Sequence, residues 1–391
     1  MSMKKLSKKM LAVVAAGAMT MGLSMPAFAA EGSTTQDTTN NAKKAYISKV
    51  YNTEVGKAET FSFTATQITD GDDVVKTNHT VIIPEISFEA TDLETTTKRV
   101  AVDCGSFNEA GKYSYTVKEN AQAEPAVTNN DYVKLIMSKA EYKMDVYVVE
   151  NTSGTFDIAK ILVNKVKDDN DKVATGKVDI GDSDQNGFKF VNTYVQEAGT
   201  GEKPDPSNPD PNYKKNGALN VSKTVLQNVT DAEKQIPTEK FDFTVKFDFP
   251  AGTDKNTLGG VKGNNEDITI DENGTTSFQI AHNENMKFTG LPVGTKITVT
   301  EAAKANYKAS AKVTLNGVVQ TPAVAASKYN APLTAVNGDK LLGQKTNTVD
   351  VTNRYNNVPT TGIIMNTLPY VLMIALCGAA LFGFVAFKRR R

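Results

Sequence analysis

Cysteine and histidine are nearly missing from this chain, with two of each in 391 residues. Cys377 lies in a long apolar run near the C-terminus, so Cys104 has no partner for an intramolecular disulfide. Cys104 reads as a small buried hydrophobe, not a reactive thiol. His79 and His282 fall one in each half, in polar surroundings that suit surface residues, and no cluster has metal-ligand spacing. Nucleophile motifs and Gly-rich phosphate loops are also lacking. The chain is therefore expected to be no enzyme on an external substrate, and to need neither metal nor cofactor. A surplus of positive charge is missing as well: 44 Lys and Arg face 44 Asp and Glu. Without a basic patch, nucleic-acid binding is disfavoured. Long helical periodicity is confined to the two ends.

Those ends carry their own signals. Lys4, Lys5, Lys8 and Lys9 precede an apolar run from Met10 to Leu23 and the small residues of Pro26-Ala27-Phe28-Ala29-Ala30. This order predicts a secretory signal peptide over 1–29. At the other end an apolar run from Ile363 to Phe387, long enough to cross a bilayer, is followed by Lys388-Arg389-Arg390-Arg391. Immediately before it stands Val358-Pro359-Thr360-Thr361-Gly362. Pentapeptide, transmembrane helix and basic tail resemble a cell-wall sorting signal over 358–391. A sortase cuts such signals between Thr and Gly, here after Thr361. The two end segments hold eight of the basic residues and none of the acidic ones, so the chain between them has a net charge of −8. That suits an exported protein.

The middle of the chain divides in two. Residues 198–215 contain Gly199, Gly201, Pro204, Pro206, Pro209 and Pro211 and read as an extended, semi-stiff Pro-rich linker. Residues 30–43 are polar and expected to be disordered. The flanking segments 44–197 and 216–357 alternate apolar and polar residues, as in Thr60-Phe61-Ser62-Phe63-Thr64 and Lys240-Phe241-Asp242-Phe243-Thr244-Val245. A helical turn is expected only near Asn130–Lys139. The prediction is an all-β protein of two tandem Ig-like β-sandwiches.

Alternation also says which residues face the core, because positions two apart share a face of a strand. Lys49 falls between Ile47 and Tyr51, and Lys223 in line with Leu219, Val221 and Val225. Glu119 follows Tyr113, Tyr115 and Val117, and Glu301 follows Ile297 and Val299. Asn192 shares a face with Phe188, Phe190 and Tyr194, and Asn353 with Val349, Val351 and Tyr355. Each half thus turns one Lys, one Glu and one Asn inward, in the same chain order. A lone inward lysine could snorkel or pair with an acid, and either Asn could end a strand as a turn residue. Two complete sets in phase favour a chemical resolution. Burial strips the proton from a lysine and keeps it on a glutamic acid. Neutral lysine is a nucleophile, and the acid can polarise the Asn carbonyl and pass protons to departing ammonia. The product would be a Lys–Asn isopeptide bond, made once, with the protein as its own substrate.

At this point the chain resembles the Gram-positive sortase-assembled backbone pilins with CnaB-like domains, of the streptococcal T-antigen shaft type. The most specific stretch is Phe288-Thr289-Gly290-Leu291-Pro292-Val293-Gly294-Thr295-Lys296-Ile297-Thr298-Val299-Thr300-Glu301. The resemblance covers both halves and the sorting signal, and departs in the longer Pro-rich linker and the VPTTG spelling. It implies bonds Lys49–Asn192 with Glu119 and Lys223–Asn353 with Glu301. It further implies a pilus (fimbrium) subunit, secreted to the cell wall through a membrane-held precursor and joined head-to-tail to identical subunits. Its partners would be a pilus-type sortase, peptidoglycan, minor pilins and host surface ligands. Sortase would pass Thr361 to an exposed lysine shortly before the last strand of the first domain. Lys177 is favoured over Lys172, with Lys165 and Lys189 behind, and each could equally be a solvated lysine. The alternative function is a monomeric wall-anchored adhesin or minor pilin, which would share the ends and the sandwiches.

Overall fold

Val, Thr, Tyr and Phe at alternate positions fit a pleated surface buried on one side, and these segments form strands. The computed structural model describes residues 43–180, 187–227 and 238–355 and is all-β, apart from one short helix. The signal peptide, the polar segment 30–43 except Lys43, and the sorting signal with Val358, Pro359, Thr360, Thr361 and Gly362 lie outside the described residues. Among the described residues no helix is long and apolar enough to cross a membrane.

The first half contains β1 (Tyr46–Thr53), β2 (Glu59–Phe61), β3 (Phe63–Ile68), β4 (Ile86–Phe88), β5 (Glu94–Ala101), β6 (Gly111–Glu119), β7 (Val133–Ile136), β8 (Glu141–Glu150), β9 (Phe156–Lys167), β10 (Val173–Val178) and β11 (Phe188–Gln196). They form a sheet ordered β5-β1-β11-β7, a second ordered β10-β9-β8-β6-β3, and a small β2-β4 pair. Ile47, Tyr51, Phe188 and Phe190 from the first sheet pack against Tyr115, Val117, Tyr142, Met144 and Val163 from the second. The expected helical turn near Asn130–Lys139 is instead strand β7, whose Val133 and Leu135 point inward.

The second half repeats the plan with β12 (Leu219–Gln227), β13 (Phe241–Asp248), β14 (Lys262–Gly263), β15 (Glu266–Asp267), β16 (Thr275–Ile280), β17 (Asn285–Thr289), β18 (Lys296–Glu301), β19 (Tyr307–Leu315), β20 (Val318–Val319), β21 (Val324–Ala325), β22 (Leu333–Leu341) and β23 (Thr348–Tyr355). One sheet runs β15-β14-β17-β12-β23-β19-β20 with β21 on β19, and the other runs β16-β13-β18-β22. Val221, Val349 and Val351 meet Phe243, Val245 and Val299 in the core.

In both halves the first strand lies parallel to the last, its direct neighbour. Lys49 is in register with Phe190, two residues before Asn192. Lys223 is in register with Val351, two residues before Asn353. The offset is the same in both halves, and it puts lysine and asparagine on the same face of one sheet.

The stretch 198–215 departs from the extended connector that its prolines suggest. Its start is docked: the N–H of Ala198 donates to the Leu291 carbonyl, that of Gly199 to Gly343 and that of Gly201 to Gln344. Its end forms helix α1 (Pro211–Asn216). The physical reason is local. The Asp210 carboxylate accepts from the Asn212 N–H as an N-cap, Pro211 opens the first turn, and Gly217 closes it at φ 63°. Tyr213, on this helix, donates from its hydroxyl to Glu197 at 2.7 Å and packs edge-on against Tyr132.

Candidate functional site

Strand phase brings all six inward residues together as two separate triads. In the first half, Lys49 Nζ lies 2.6 Å from Glu119 Oε1, with both side chains fully out of contact with solvent. The same oxygen accepts from Asn192 Nδ2 at 3.0 Å. In the second half Lys223 Nζ donates to Glu301 Oε1 at 2.6 Å, and Asn353 Nδ2 donates to that oxygen at 2.7 Å. One carboxylate oxygen therefore holds the amine beside the carboxamide in each sandwich. Glu119 and Glu301 each end a strand of the opposite sheet, β6 and β18, and so reach across the core.

Such a pair is costly to bury in ionic form. Removing both charges from water disfavours ammonium and carboxylate alike, and the contacts that offset that cost all fall on one carboxylate oxygen. The second oxygens, Glu119 Oε2 and Glu301 Oε2, have no hydrogen-bond partner. Lys49 Nζ approaches Oε1 without hydrogen-bond alignment. Desolvation accordingly lowers both lysines to about 8. Burial likewise pushes the carboxyls of Glu119 and Glu301 up, against the opposing pull of their lysines. Moving one proton from amine to acid leaves a neutral nucleophile and a neutral acid, the form a dry core favours.

Aromatic rings supply the dryness. Phe61 stands 4.4 Å from Lys49 Nζ, and Phe241 stands 4.2 Å from Lys223 Nζ. Two residues on, Phe63 is the register partner of Glu119 and Phe243 that of Glu301. Each half thus uses a Phe-x-Phe pair, one ring over the amine and the next beside the acid. In the sequence these pairs read only as strand markers. Their recurrence after each inward lysine was the available signal.

The carboxamides are oriented differently from the expectation that the acid polarises the carbonyl. In both triads the amide nitrogen, not the carbonyl oxygen, faces the acid. In the first half the carbonyl oxygen Asn192 Oδ1 instead accepts from the backbone N–H of Ser138 at 2.6 Å. In the second half Asn353 Oδ1 is buried without a partner.

The remaining predicted residues are scattered. Lys177 is exposed on β10, an edge strand of its sheet, and Lys172 is exposed in the turn before it. Lys189 is exposed on β11, whereas Lys165 is half-buried, 5.7 Å from the Tyr142 ring. Cys104 is a free buried thiol, pushed up to about 11 by desolvation. His79 is half-buried, stacked on Phe107 at 4.2 Å and hydrogen-bonded to the Tyr115 hydroxyl, so it belongs to a packed aromatic cluster and not to an open surface. Among the described residues no group of three or more His, Cys, Asp or Glu could hold a metal.

Residues 217–355 match a family model described as a domain of unknown function, DUF7601. No curated protein matches the chain. Among solved structures it is similar to the major pilin from Streptococcus pyogenes, at 16% identity over 81% of this chain and 99% of that one, with a TM-score of 0.31. It is similar to the major pilin T3.2 of Streptococcus pyogenes serotype GAS13637 at 17% identity, 81% and 99% coverage and a TM-score of 0.30. It is also similar to a Mobiluncus mulieris adhesin containing intramolecular disulfide, isopeptide and ester cross-links, at 12% identity, 79% and 86% coverage and a TM-score of 0.24.

Proposed function

We propose that this chain is the repeating subunit of a covalently joined surface fibre, a pilin whose two sandwiches each staple themselves with a Lys–Asn isopeptide bond. The observation that carries the reading is the duplicated triad. Two independent sandwiches hold Lys, Glu and Asn on one shared carboxylate oxygen, with the same register offset between parallel first and last strands. A structural ion pair would leave the buried asparagine unexplained, and chance would not repeat the offset.

The chemistry follows from the contacts. One proton passes from lysine to glutamate, leaving an amine with a free lone pair. The amine nitrogen attacks the Asn side-chain carbon, forming the new C–N bond and placing negative charge on the carbonyl oxygen. The protonated carboxyl, already against the amide nitrogen, delivers its proton there and recovers one from the attacking amine. The C–Nδ2 bond breaks, the electrons on the oxygen re-form the carbonyl, ammonia departs, and the carboxyl is left holding a proton that lysine gave up. The bonds would enclose residues 49 to 192 and 223 to 353. By the loop-entropy relation for disulfides, each closure removes about 5 kcal/mol of unfolded-chain entropy.

Assembly completes the proposal. A sortase would cleave after Thr361 and transfer it to Lys177 or Lys172 of the next subunit, and finally to peptidoglycan. The exposed edge position of Lys177 supports its choice. The first test is intact mass under denaturing conditions. A folded chain lighter than its sequence by about 17 Da for each of two bonds is the expected result, and an unshifted mass removes the reading. For assembly, wall extracts should show a high-mass ladder that disappears without sortase. A single band bound to peptidoglycan would indicate a monomeric anchored adhesin instead.

A further inference from the structure

The two triads differ at the oxygen that must carry negative charge as the amine adds. Asn353 Oδ1 has no partner. Asn192 Oδ1 faces the Ser138 N–H at 2.6 Å. Ser138 is itself held by Asp169. Its hydroxyl donates to Asp169 Oδ1 at 2.6 Å, and the same oxygen accepts from the Val191 N–H at 2.9 Å. The next amide, Lys139 N–H, donates to the Asp169 carbonyl at 3.1 Å. Asp169 thus ties the segment after β7 to the residue preceding Asn192. The N–H that meets Oδ1 is fixed from both sides before any reaction.

Resting on the self-cross-linking reading above, we infer that the backbone N–H of Ser138 is the oxyanion donor for the Lys49–Asn192 bond, and that Asp169 positions it. As Lys49 Nζ bonds to Asn192 Cγ, the carbonyl π electrons move onto Oδ1, where this fixed dipole meets them. They return as the C–Nδ2 bond breaks and ammonia leaves with the proton from Glu119. A donor already in place when charge develops lowers the barrier without reorganisation. It also fixes the amide so that nitrogen, and not oxygen, addresses Glu119. The second triad works without this donor, so the first bond should close before the second.

The test removes the single hydrogen. The chain is made by cell-free synthesis with the α-hydroxy analogue of serine at 138, which turns the 137–138 amide into an ester. Peptide mapping follows the 49–192 and 223–353 cross-links against time. The expected result is a 49–192 bond slowed about a hundredfold, the usual effect of losing one oxyanion donor, while the 223–353 bond in the same molecules keeps its rate. Wild-type speed at 49–192 overturns the assignment. Should limited proteolysis show the ester chain misfolded in its first half, Asp169→Asn and Asp169→Ala decide. The first keeps an acceptor oxygen for Ser138 and Val191 and should retain the rate, the second should lose it, and equal rates in both overturn the inference. Absence of both bonds from the wild-type chain would instead reject cross-linking itself.

Discussion

The amide nitrogen of Asn192, and not its oxygen, faces Glu119, at 3.0 Å. In the proposed reaction the acid would therefore attend the bond that breaks. Glu301 has the same relation to Asn353, so in both halves the carboxyl touches the amine nitrogen and the amide nitrogen, the two that the proposed reaction would join and release.

Glu119→Ala and Glu301→Ala should each abolish one ammonia loss and leave the other. Each variant would regain about 17 Da relative to the cross-linked chain. The affected half should lose on the order of 5 kcal/mol from the opened loop, and more from a buried lysine stripped of its partner. Mass spectrometry and denaturant unfolding check both.

The pH dependence of bond formation should be a plateau with two falling sides. In the proposed reaction the competent triad carries one proton shared by lysine and glutamate. Burial raises Glu119 and Glu301 and lowers Lys49 and Lys223 to about 8. Below the raised glutamate value both groups are protonated and no free amine remains. Above about 8 the pair loses its one proton and the acid is gone. Refolding the unreacted chain across pH and scoring ammonia release measures both limbs, whose midpoints belong to the pair.

Phe241→Leu should slow the second bond while leaving the first unchanged. The ring 4.2 Å from Lys223 Nζ excludes water. A smaller side chain admits it, and each pH unit by which the lysine returns toward its solution value removes about tenfold of the neutral amine. Phe61→Leu should do the same to the Lys49 bond alone. The ratio of the two cross-linked peptides reports both.

Glu197 should make the junction between the halves pH-sensitive. It is buried, accepts from the Gly290 N–H and the Tyr213 hydroxyl, and is pushed up to about 7 by desolvation. A carboxyl raised on folding contributes stability that is full below its unfolded value of 4.5 and lost as pH rises through about 7. The change amounts to about 3 kcal/mol. Urea unfolding at pH 5 and pH 8 should show it, and Glu197→Gln should flatten it.

Much of this was legible in the sequence because a strand repeats every two residues. The phase of Lys49, Glu119 and Asn192 against their apolar neighbours needs nothing beyond counting, and so does that of Lys223, Glu301 and Asn353. What counting cannot supply is partnership across the sheet. The parallel pairing of β1 with β11, and the two-residue offset, depend on how distant segments dock. The Ser138–Asp169 clamp lies further out of reach. It joins residues 31 apart in sequence to an asparagine 54 from Ser138, through a backbone group that no residue type announces. The connector is a different case. Its prolines suggest an extended spacer, yet Asp210-Pro211 is a helix start readable locally, whereas Tyr213 is an anchor only through the distant Glu197 and Tyr132.

With both proposed staples in place, the span from Glu197 to Ala218, between the last strand of the first half and the first strand of the second, would acquire a character of its own. It is bridged by neither cross-link, and it holds its shape through Glu197, Tyr213, helix α1 and the docked turn at Ala198. Sandwiches stapled in this way could not lengthen between their bonds, so this span would be the slack in the subunit. Fully drawn out, it would reach roughly 70 Å at the extended rise per residue. A stretched filament would give here first, by undocking a tyrosine and unwinding one and a half helical turns, and would shorten again when released.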